Sequence, residues 1–181
     1  MPPTTENILR GYFHAKDENR PHLLSQVFAE DAHLEMRVKS DAITFPAATQ
    51  GRDTITDVLV RKFGQTYENV YSFYLQRPLP DTFTDQYSCD WMVVMSDKES
   101  RNLRVGCGRY DWQFQAESPC LVTHLHITIE AMQKIAPDPE QTILSWAARL
   151  PYPWCDAAEI TEMAPHLDEL KPVLDYLTRQ Q

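Results

Sequence analysis

The segment 102–115, with the sequence NLRVGCGRYDWQFQ, decides the fold because its side chains alternate between two faces. Successive side chains of a β-strand leave opposite sides of the sheet, so this period-two pattern predicts a strand. The aromatic residues Tyr110 and Trp112 share one side of it. The glycines Gly106 and Gly108 stand inside the strand, where they indicate a bulge or bend in a curved sheet.

Three similar segments accompany this one, two before it and one after it. Each is rich in β-branched and aromatic residues, and prolines or short polar turns separate them. These further predicted strands cover residues 67–76, 86–96 and 120–132. Four consecutive strands with short connections predict an antiparallel meander.

Helical patterns lie before and after the meander. Apolar residues at helical spacing predict helices, and alternation predicts one early strand with Leu34 and Met36 directed inward. The predicted helices cover residues 5–16, 54–63 and a short stretch from residue 21 to about residues 29–31, and the early strand covers residues 32–38. Residues 136–181 return to helical spacing. This order of elements predicts an α+β fold with a helical C-terminal extension.

The composition indicates an acidic, folded protein and excludes several classes of function. The chain has 181 residues, of which 43% are hydrophobic, and a formal net charge of −9. That charge repels phosphate backbones and anionic lipids, so neither nucleic acid nor a membrane is expected as a partner. The sequence shows no signal peptide, no apolar run of membrane-spanning length and no CxxC pair. We therefore expect a cytoplasmic protein without a disulfide scaffold or structural zinc.

Three short segments point to a known superfamily. They are Phe28-Ala29-Glu30-Asp31-Ala32, Gln50-Gly51-Arg52 and Gly108-Arg109-Tyr110. With the order of elements, they resemble the NTF2-like superfamily, also called cystatin-like or SnoaL-like, over about residues 5–132. The resemblance implies a cone in which a curved, mainly antiparallel sheet wraps around N-terminal helices. It implies an NTF2-like domain over residues 1–135, with residues 136–181 as a helical extension packed on the same domain.

The stretch 8–36 resembles the start of the ketosteroid isomerases within that superfamily. The resemblance places Tyr12 on the tyrosine that donates to the substrate oxygen, and Phe28 on a residue at the end of the second helix. Met36 occupies the position of the catalytic aspartate. Because a thioether cannot carry a proton between carbon atoms, steroid isomerisation by that mechanism is not expected.

Two histidines, His124 and His126, are candidates for catalysis. They are two residues apart in a predicted strand and therefore share a face. If Cys120 and Val122 face the interior, as the resemblance implies, both imidazoles lie on the concave side, where one could act as a general acid or base. The alternative is that both are solvated or at a subunit interface. No metal is expected, because two nitrogens are too few for a catalytic zinc site with three protein ligands.

Asp90 is the best carboxylate candidate for acid–base chemistry, because its strand is apolar enough for either face to be buried. A buried position would require a partner or a raised pKa, and the alternative is an outward position near the start of the strand. Tyr12 or Tyr110 would polarise the substrate oxygen. The predicted substrate-binding residues are Met36, Tyr110, Trp112 and Phe28. The aromatic members of this set are equally compatible with a plain core.

These observations leave several functions open. The first is a SnoaL-like pocket protein that acts as a cofactor-free cyclase, dehydratase or isomerase on a small apolar or aromatic substrate. The second is a non-catalytic ligand-binding or protein-interaction module. A third is the accessory subunit of a ring-hydroxylating dioxygenase, which shares the fold and a similar length. No nucleotide or other cofactor is expected.

A homodimer is expected through the outer face of the sheet. That face is predicted to carry His33, Glu35 and Arg37 beside Val105 and Cys107. Members of the superfamily commonly pair this surface, so the expectation comes from the resemblance and from the mixed polar and apolar composition of the face.

Overall fold

One sheet of six strands forms the centre of the structure, a computed structural model that describes residues 3–179. The strands are β1 (Phe28–Val38), β2 (Ala48–Gln50), β3 (Tyr67–Tyr74), β4 (Gln86–Asp97), β5 (Leu103–Phe114) and β6 (Val122–Ile135). Their order is β2-β1-β6-β5-β4-β3, with β1 and β6 parallel and the other neighbours antiparallel. The predicted four-strand meander is confirmed, and β2 is a strand that the sequence pattern did not indicate.

Helices pack on both faces of this sheet. They are α1 (Thr5–Asp17), α2 (Arg52–Thr56), α3 (Lys62–Thr66), α4 (Glu140–Arg149), α5 (Ala157–Met163) and α6 (Lys171–Arg179). A π-helical turn, Asp57–Arg61, joins α2 to α3, and 3₁₀ turns occupy Pro21–Gln26 and Asp168–Leu170. No helix within residues 3–179 is long and apolar enough to span a membrane.

The first helix begins where its sequence predicts. The Thr4 side chain accepts a hydrogen bond from the Asn7 backbone N–H, and the Asn7 side chain bonds the Thr4 backbone in return. This reciprocal arrangement satisfies two backbone donors that a helix start otherwise leaves free. It fixes the direction in which α1 enters the concave side of the sheet.

The predicted second helix is wrong over its last residues. Residues Pro21–Gln26 form only a 3₁₀ turn, and Phe28 already begins β1. Pairing in the sheet outweighs helical spacing here, because the backbone N–H of Val122 donates to the carbonyl of Val27 at 2.8 Å and Phe28 pairs with Val122. Phe28 is therefore the first buried residue of a strand and not the end of a helix.

Two separate hydrophobic cores lie on the two faces of the sheet. The concave core contains α1 and the aromatic side of β5, including Tyr12 and Trp112, and the predicted inward direction of Trp112 is confirmed. The outer core packs Val105 and Cys107 against helices α4 to α6, with Trp146 fully buried among them. The C-terminal extension thus covers part of the outer face on which the predicted dimer depends.

Gly108 lies at a point where β5 and β6 approach too closely for any side chain. The register of the two strands shifts between Cys107 and Gly108, and a Cβ atom at position 108 would overlap the backbone carbonyl of Thr128. The sequence-based assignment of this glycine to a bulge in a curved sheet agrees with that geometry.

Replacement of Gly108 with alanine is expected to destabilise the protein by ~3 kcal/mol or more, because the obstacle is backbone and cannot rotate away. Denaturant unfolding of both forms measures the difference. Gly11→Ala adds the same methyl group to α1, where it meets only the Val27 side chain at 3.3 Å, and should change stability by no more than about 1 kcal/mol. Equal stability of the Gly108→Ala protein and the parent would contradict this account of the strand pair.

Candidate functional site

A small cavity of about 50 Å³ lies between the concave face of the sheet and helices α1 and α3. Its wall is almost entirely apolar and includes Met36, Leu59, Phe63 and Trp91. Leu59 belongs to the π-helical turn, a feature that often marks a functional site. The composition of this wall suits an apolar molecule. The cavity is far smaller than the roughly 300–1,000 Å³ of most ligand pockets, so a ligand requires side chains of the wall to move.

Lys16 is the one charged side chain that the described residues contribute to the cavity wall. It lies on the face of α1 that also carries Tyr12, four residues before it, and only 6% of it is exposed. Its Nζ atom is 4.8 Å from the centre of the Phe63 ring and 5.4 Å from that of Phe13. These distances place the ammonium group against aromatic faces, where a cation is attracted.

The charge of Lys16 is balanced by a buried carboxylate behind it. Its Nζ atom donates to Asp17 Oδ1 at 2.7 Å and to Ser72 Oγ at 2.8 Å. The Asp17 carboxylate also accepts hydrogen bonds from the Ser72 backbone N–H and hydroxyl, and from the Tyr152 hydroxyl at 3.2 Å. Buried charges persist only with such pairing, so the group holds Lys16 in place at the wall.

Two tyrosines add hydroxyl groups to the same cavity. Tyr12 and Tyr110 both belong to its wall, and their rings meet edge to face at 5.9 Å. Burial raises the pKa of Tyr12, and a hydrogen bond with Tyr110 opposes that rise. Burial also raises the pKa of Tyr110 well above its ordinary value. Both phenols therefore stay protonated at neutral pH and can act as hydrogen-bond donors.

The structure divides the predicted substrate-binding residues into two groups. Met36 and Tyr110 lie in the cavity wall, as does Tyr12. Trp112 and Phe28 instead lie in the concave core, where their rings pack on Tyr12 at 5.2 and 6.3 Å. They support the cavity from behind and do not line it.

The concave placement of His124 and His126 is wrong, and the alternative, in which both leave the cavity side of the sheet, agrees with the structure. Val122 does face the concave core, but Thr123 is an extra residue in β6, because Phe114 pairs with Val122 while Gln113 pairs with His124. An inserted residue reverses the alternation of side chains beyond it. Both histidines therefore lie on the outer face.

The two imidazoles have partners on that outer face. The His124 ring stacks on the His33 ring with their centres 5.0 Å apart, and His126 Nδ1 lies 3.9 Å from Asp111 Oδ2. Neither histidine belongs to the concave cavity. Their predicted catalytic role has no support from this placement.

Asp90 also lies on the outer face, where the C-terminal extension buries it. Its Oδ1 atom accepts a hydrogen bond from the Tyr176 hydroxyl of α6 at 3.1 Å, and Arg109 Nη1 is 3.8 Å away. Burial raises the pKa of Asp90, while the Tyr176 hydrogen bond and the Arg109 charge oppose that rise. Asp90 therefore has the outward position that the sequence left open as the alternative, and it cannot reach a molecule in the concave cavity through the sheet.

Sequence reasoning missed Lys16 and Asp17. The signal was present, because Leu9, Tyr12 and Lys16 follow one another at helical spacing and place a lysine on an apolar face. Within residues 3–179 no group of three or more histidine, cysteine, aspartate or glutamate side chains is arranged to hold a metal ion.

Comparison of the structure with solved structures identifies the fold. A hexachlorocyclohexane dehydrochlorinase, LinA-type3, from Novosphingobium barchaimii is 11% identical and has a TM-score of 0.54, with 71% of this chain and 86% of that chain covered. An NTF2-like superfamily protein from Salmonella enterica is 15% identical, with a TM-score of 0.54 and coverage of 70% and 88%.

A third structure has a ketosteroid isomerase-like fold and comes from Catenulispora acidiphila, in complex with trimethylamine. It is 18% identical, with a TM-score of 0.52 and coverage of 69% and 85%. No protein-family model and no curated protein matches the chain. The structure therefore has the NTF2-like fold, a curved, open six-stranded sheet with helices, as the sequence resemblance implied.

The raised pKa of Asp90 predicts a dependence of stability on pH. The folded protein binds the Asp90 proton more tightly than the unfolded chain, so the contribution of this group is greatest below the ordinary pKa of 3.8 and is lost as the pH rises through the folded value. Asp90→Asn keeps an acceptor for Tyr176 and removes the buried charge. Its melting temperature should exceed that of the parent at pH 7, and the gap should narrow toward pH 4.

Calorimetry from pH 4 to pH 8 tests this prediction. Asp175→Asn makes the same chemical change on α6 at an exposed ion pair with Lys171 and should alter the melting temperature little at any pH. An Asp90→Asn protein that is less stable than the parent at pH 7 would show that the Arg109 attraction outweighs the cost of burial.

Proposed function

We propose that the protein is a SnoaL-like small-molecule binder whose concave cavity holds a small apolar molecule with one acceptor oxygen. The observation that carries the proposal is an unsatisfied donor in an apolar wall. The buried Trp91 Nε1 has no hydrogen-bond partner among the described residues, and the Lys16 ammonium and the hydroxyls of Tyr12 and Tyr110 belong to the same wall. A buried donor without an acceptor destabilises the folded protein, and a bound oxygen atom would supply the missing acceptor.

The positive charge of Lys16 restricts the kinds of ligand that the cavity can bind. Lys16 would repel a bound cation, whereas a carbonyl, hydroxyl or carboxylate oxygen would accept its hydrogen bond. The methionine side chains of the wall, Met36 and Met132 among them, are flexible and can adjust to a molecule larger than the present cavity. A neutral or anionic oxygen compound with a compact apolar body fits these constraints.

A cofactor-free isomerase, dehydratase or cyclase is the second candidate. Lys16 and Tyr12 together could stabilise negative charge that develops on a substrate oxygen, which is a large contribution in such reactions. The dehydrochlorinase of the same fold is an example of chemistry that this scaffold can host. A proton transfer also requires a base, and the part of the wall that the structure describes has neither a carboxylate nor an imidazole. Binding is therefore the better supported function.

The role of Lys16 can be tested with two probes of equal shape. Cyclohexanone carries an acceptor oxygen, and cyclohexylammonium carries a cation on the same ring. The parent protein should bind only cyclohexanone, and Lys16→Met should weaken that binding about tenfold because it removes a charged hydrogen-bond donor. Titration of the tryptophan fluorescence, to which Trp91 in the wall contributes, measures both affinities.

Two further proteins complete the Lys16 experiment. Lys16→Met leaves Asp17 buried without its cation, so the double variant Lys16→Met/Asp17→Asn removes both charges and keeps the fold comparable. Lys39→Met deletes a half-exposed lysine that pairs with Glu130 and should bind like the parent. Cyclohexanone binding that survives in the double variant would refute the assignment of Lys16.

We also propose a cytoplasmic homodimer through the part of the outer face that the extension leaves uncovered. There Glu35 and Arg37 lie two residues apart on the outer side of β1, opposite His126 and Thr128 of β6. In a two-fold contact each Glu35 can meet the Arg37 of the partner, and the cleft beside the extension stays open.

Light scattering at micromolar concentration should give twice the chain mass of 21.0 kDa. Arg37→Glu should return the protein to the monomer mass, because it places an acidic group opposite the Glu35 of the partner. Arg61→Glu, at an exposed helix position, should remain dimeric. A monomer mass for the parent would exclude the dimer.

A further inference from the structure

A second and larger cleft lies on the outer face, where the C-terminal extension meets the sheet. It has a volume of about 500 Å³ and is separate from the concave cavity. Ala157 and Ala158 of the extension line one side beside Asp156, and Asp90 and Arg109 of the sheet line the other. The cleft exists only because residues of the extension stand over β4 and β5.

Asp90 presents a free acceptor to this cleft. The residue is 9% exposed, and its Oδ1 atom is bonded to Tyr176. Its Oδ2 atom has no hydrogen-bond partner within residues 3–179. This oxygen is not among the fully buried polar atoms that lack a partner, so it is accessible from the cleft and can accept a hydrogen bond from a ligand.

Arg109 presents free donors beside it. Its Nε atom lies 3.3 Å from Asp111 Oδ1, and its Nη1 atom is 3.8 Å from Asp90 Oδ1, which is beyond hydrogen-bond distance. The guanidinium therefore has N–H groups without acceptors among the described residues. Half of its side chain is exposed, so these groups are accessible from the cleft.

We propose that this cleft binds a small primary carboxamide with a short aliphatic chain. The amide NH₂ would donate to Asp90 Oδ2, the amide oxygen would accept from Arg109, and the chain would lie on Ala157 and Ala158. An amide supplies a donor and an acceptor side by side, as this pair of residues requires. An ammonium ion would meet the Arg109 charge, and a carboxylate would meet the charges of Asp90 and Asp156.

Three probes that share one aliphatic chain distinguish binding of an amide from binding of a cation or an anion. Butyramide, n-butylammonium and butyrate are titrated into the full chain, and the methyl resonances of Ala157 and Ala158 are followed by NMR. Butyramide should shift both resonances in a saturable manner with a millimolar dissociation constant, as expected for so small a ligand. The two charged probes should cause no saturable shift. Because the readout belongs to the cleft, it does not depend on binding in the concave cavity.

Variants test the two polar residues. Asp90→Leu and Arg109→Met should each weaken butyramide binding about tenfold or more, because each removes a charged hydrogen-bond partner. Asp175→Leu, a matched change at an exposed site on α6, should bind like the parent. Because Arg109 is half-exposed, its replacement should not disturb folding. Arg109→Met therefore tests the proposed binding by itself if Asp90→Leu does not fold.

Several results would overturn the proposal. Saturable shifts with butylammonium or butyrate equal to those with butyramide would show that one charge acts alone and that the amide class is wrong. Butyramide binding unchanged in Arg109→Met would exclude the paired recognition. An absence of saturable shifts with every probe would show that the cleft is a solvent-filled gap.

Discussion

The burial of β4 and β5 on both faces is the constraint on which the rest of the structure depends. Their inward side chains form the concave core with α1, and their outward apolar side chains, such as Val105, require a cover of their own. Helices α4 to α6 provide that cover within the same chain. One sheet thus separates two environments, an aromatic cavity on one side and a polar cleft beside the extension on the other, and each side chain can serve only one of them.

A single charged pair connects the concave cavity to the C-terminal extension. Lys16 reaches the cavity from α1, Ser72 holds it from β3, and Tyr152 of the extension bonds the Asp17 carboxylate from outside. A buried ion pair with all its hydrogen bonds made adds little net stability compared with apolar residues in the same place. It does hold the cation in one position. The extension therefore has a direct connection to the only charge in the described wall of the cavity, although it packs on the opposite face of the sheet.

Much of the fold could be predicted from local pattern, because alternation and helical spacing act over a few residues. The meander, α1 and the inward direction of Met36, Tyr110 and Trp112 follow from such patterns. The direction of the histidines could not be predicted in this way. It depends on one inserted residue, Thr123, which is set by the register between β5 and β6. Unlike Gly108, Thr123 is not a residue type that indicates a bulge in the sequence. Lys16 could have been predicted as a residue of the cavity, because it lies on the apolar face of α1. Tyr176, the partner of Asp90, could not, because it belongs to a helix more than eighty residues later.

The segment between α4 and α5 also covers one edge of the sheet. β3 is an edge strand, and the backbone N–H of Tyr74 donates to Pro153 while its carbonyl accepts from Cys155, at 2.7 and 3.0 Å. Trp154 stacks on the Tyr74 ring at the same place. Free edges invite pairing with other chains, and native proteins often cover them. A chain cut before residue 136 would present a bare strand edge beside an uncovered apolar sheet, which is the combination that drives aggregation in a crowded cell.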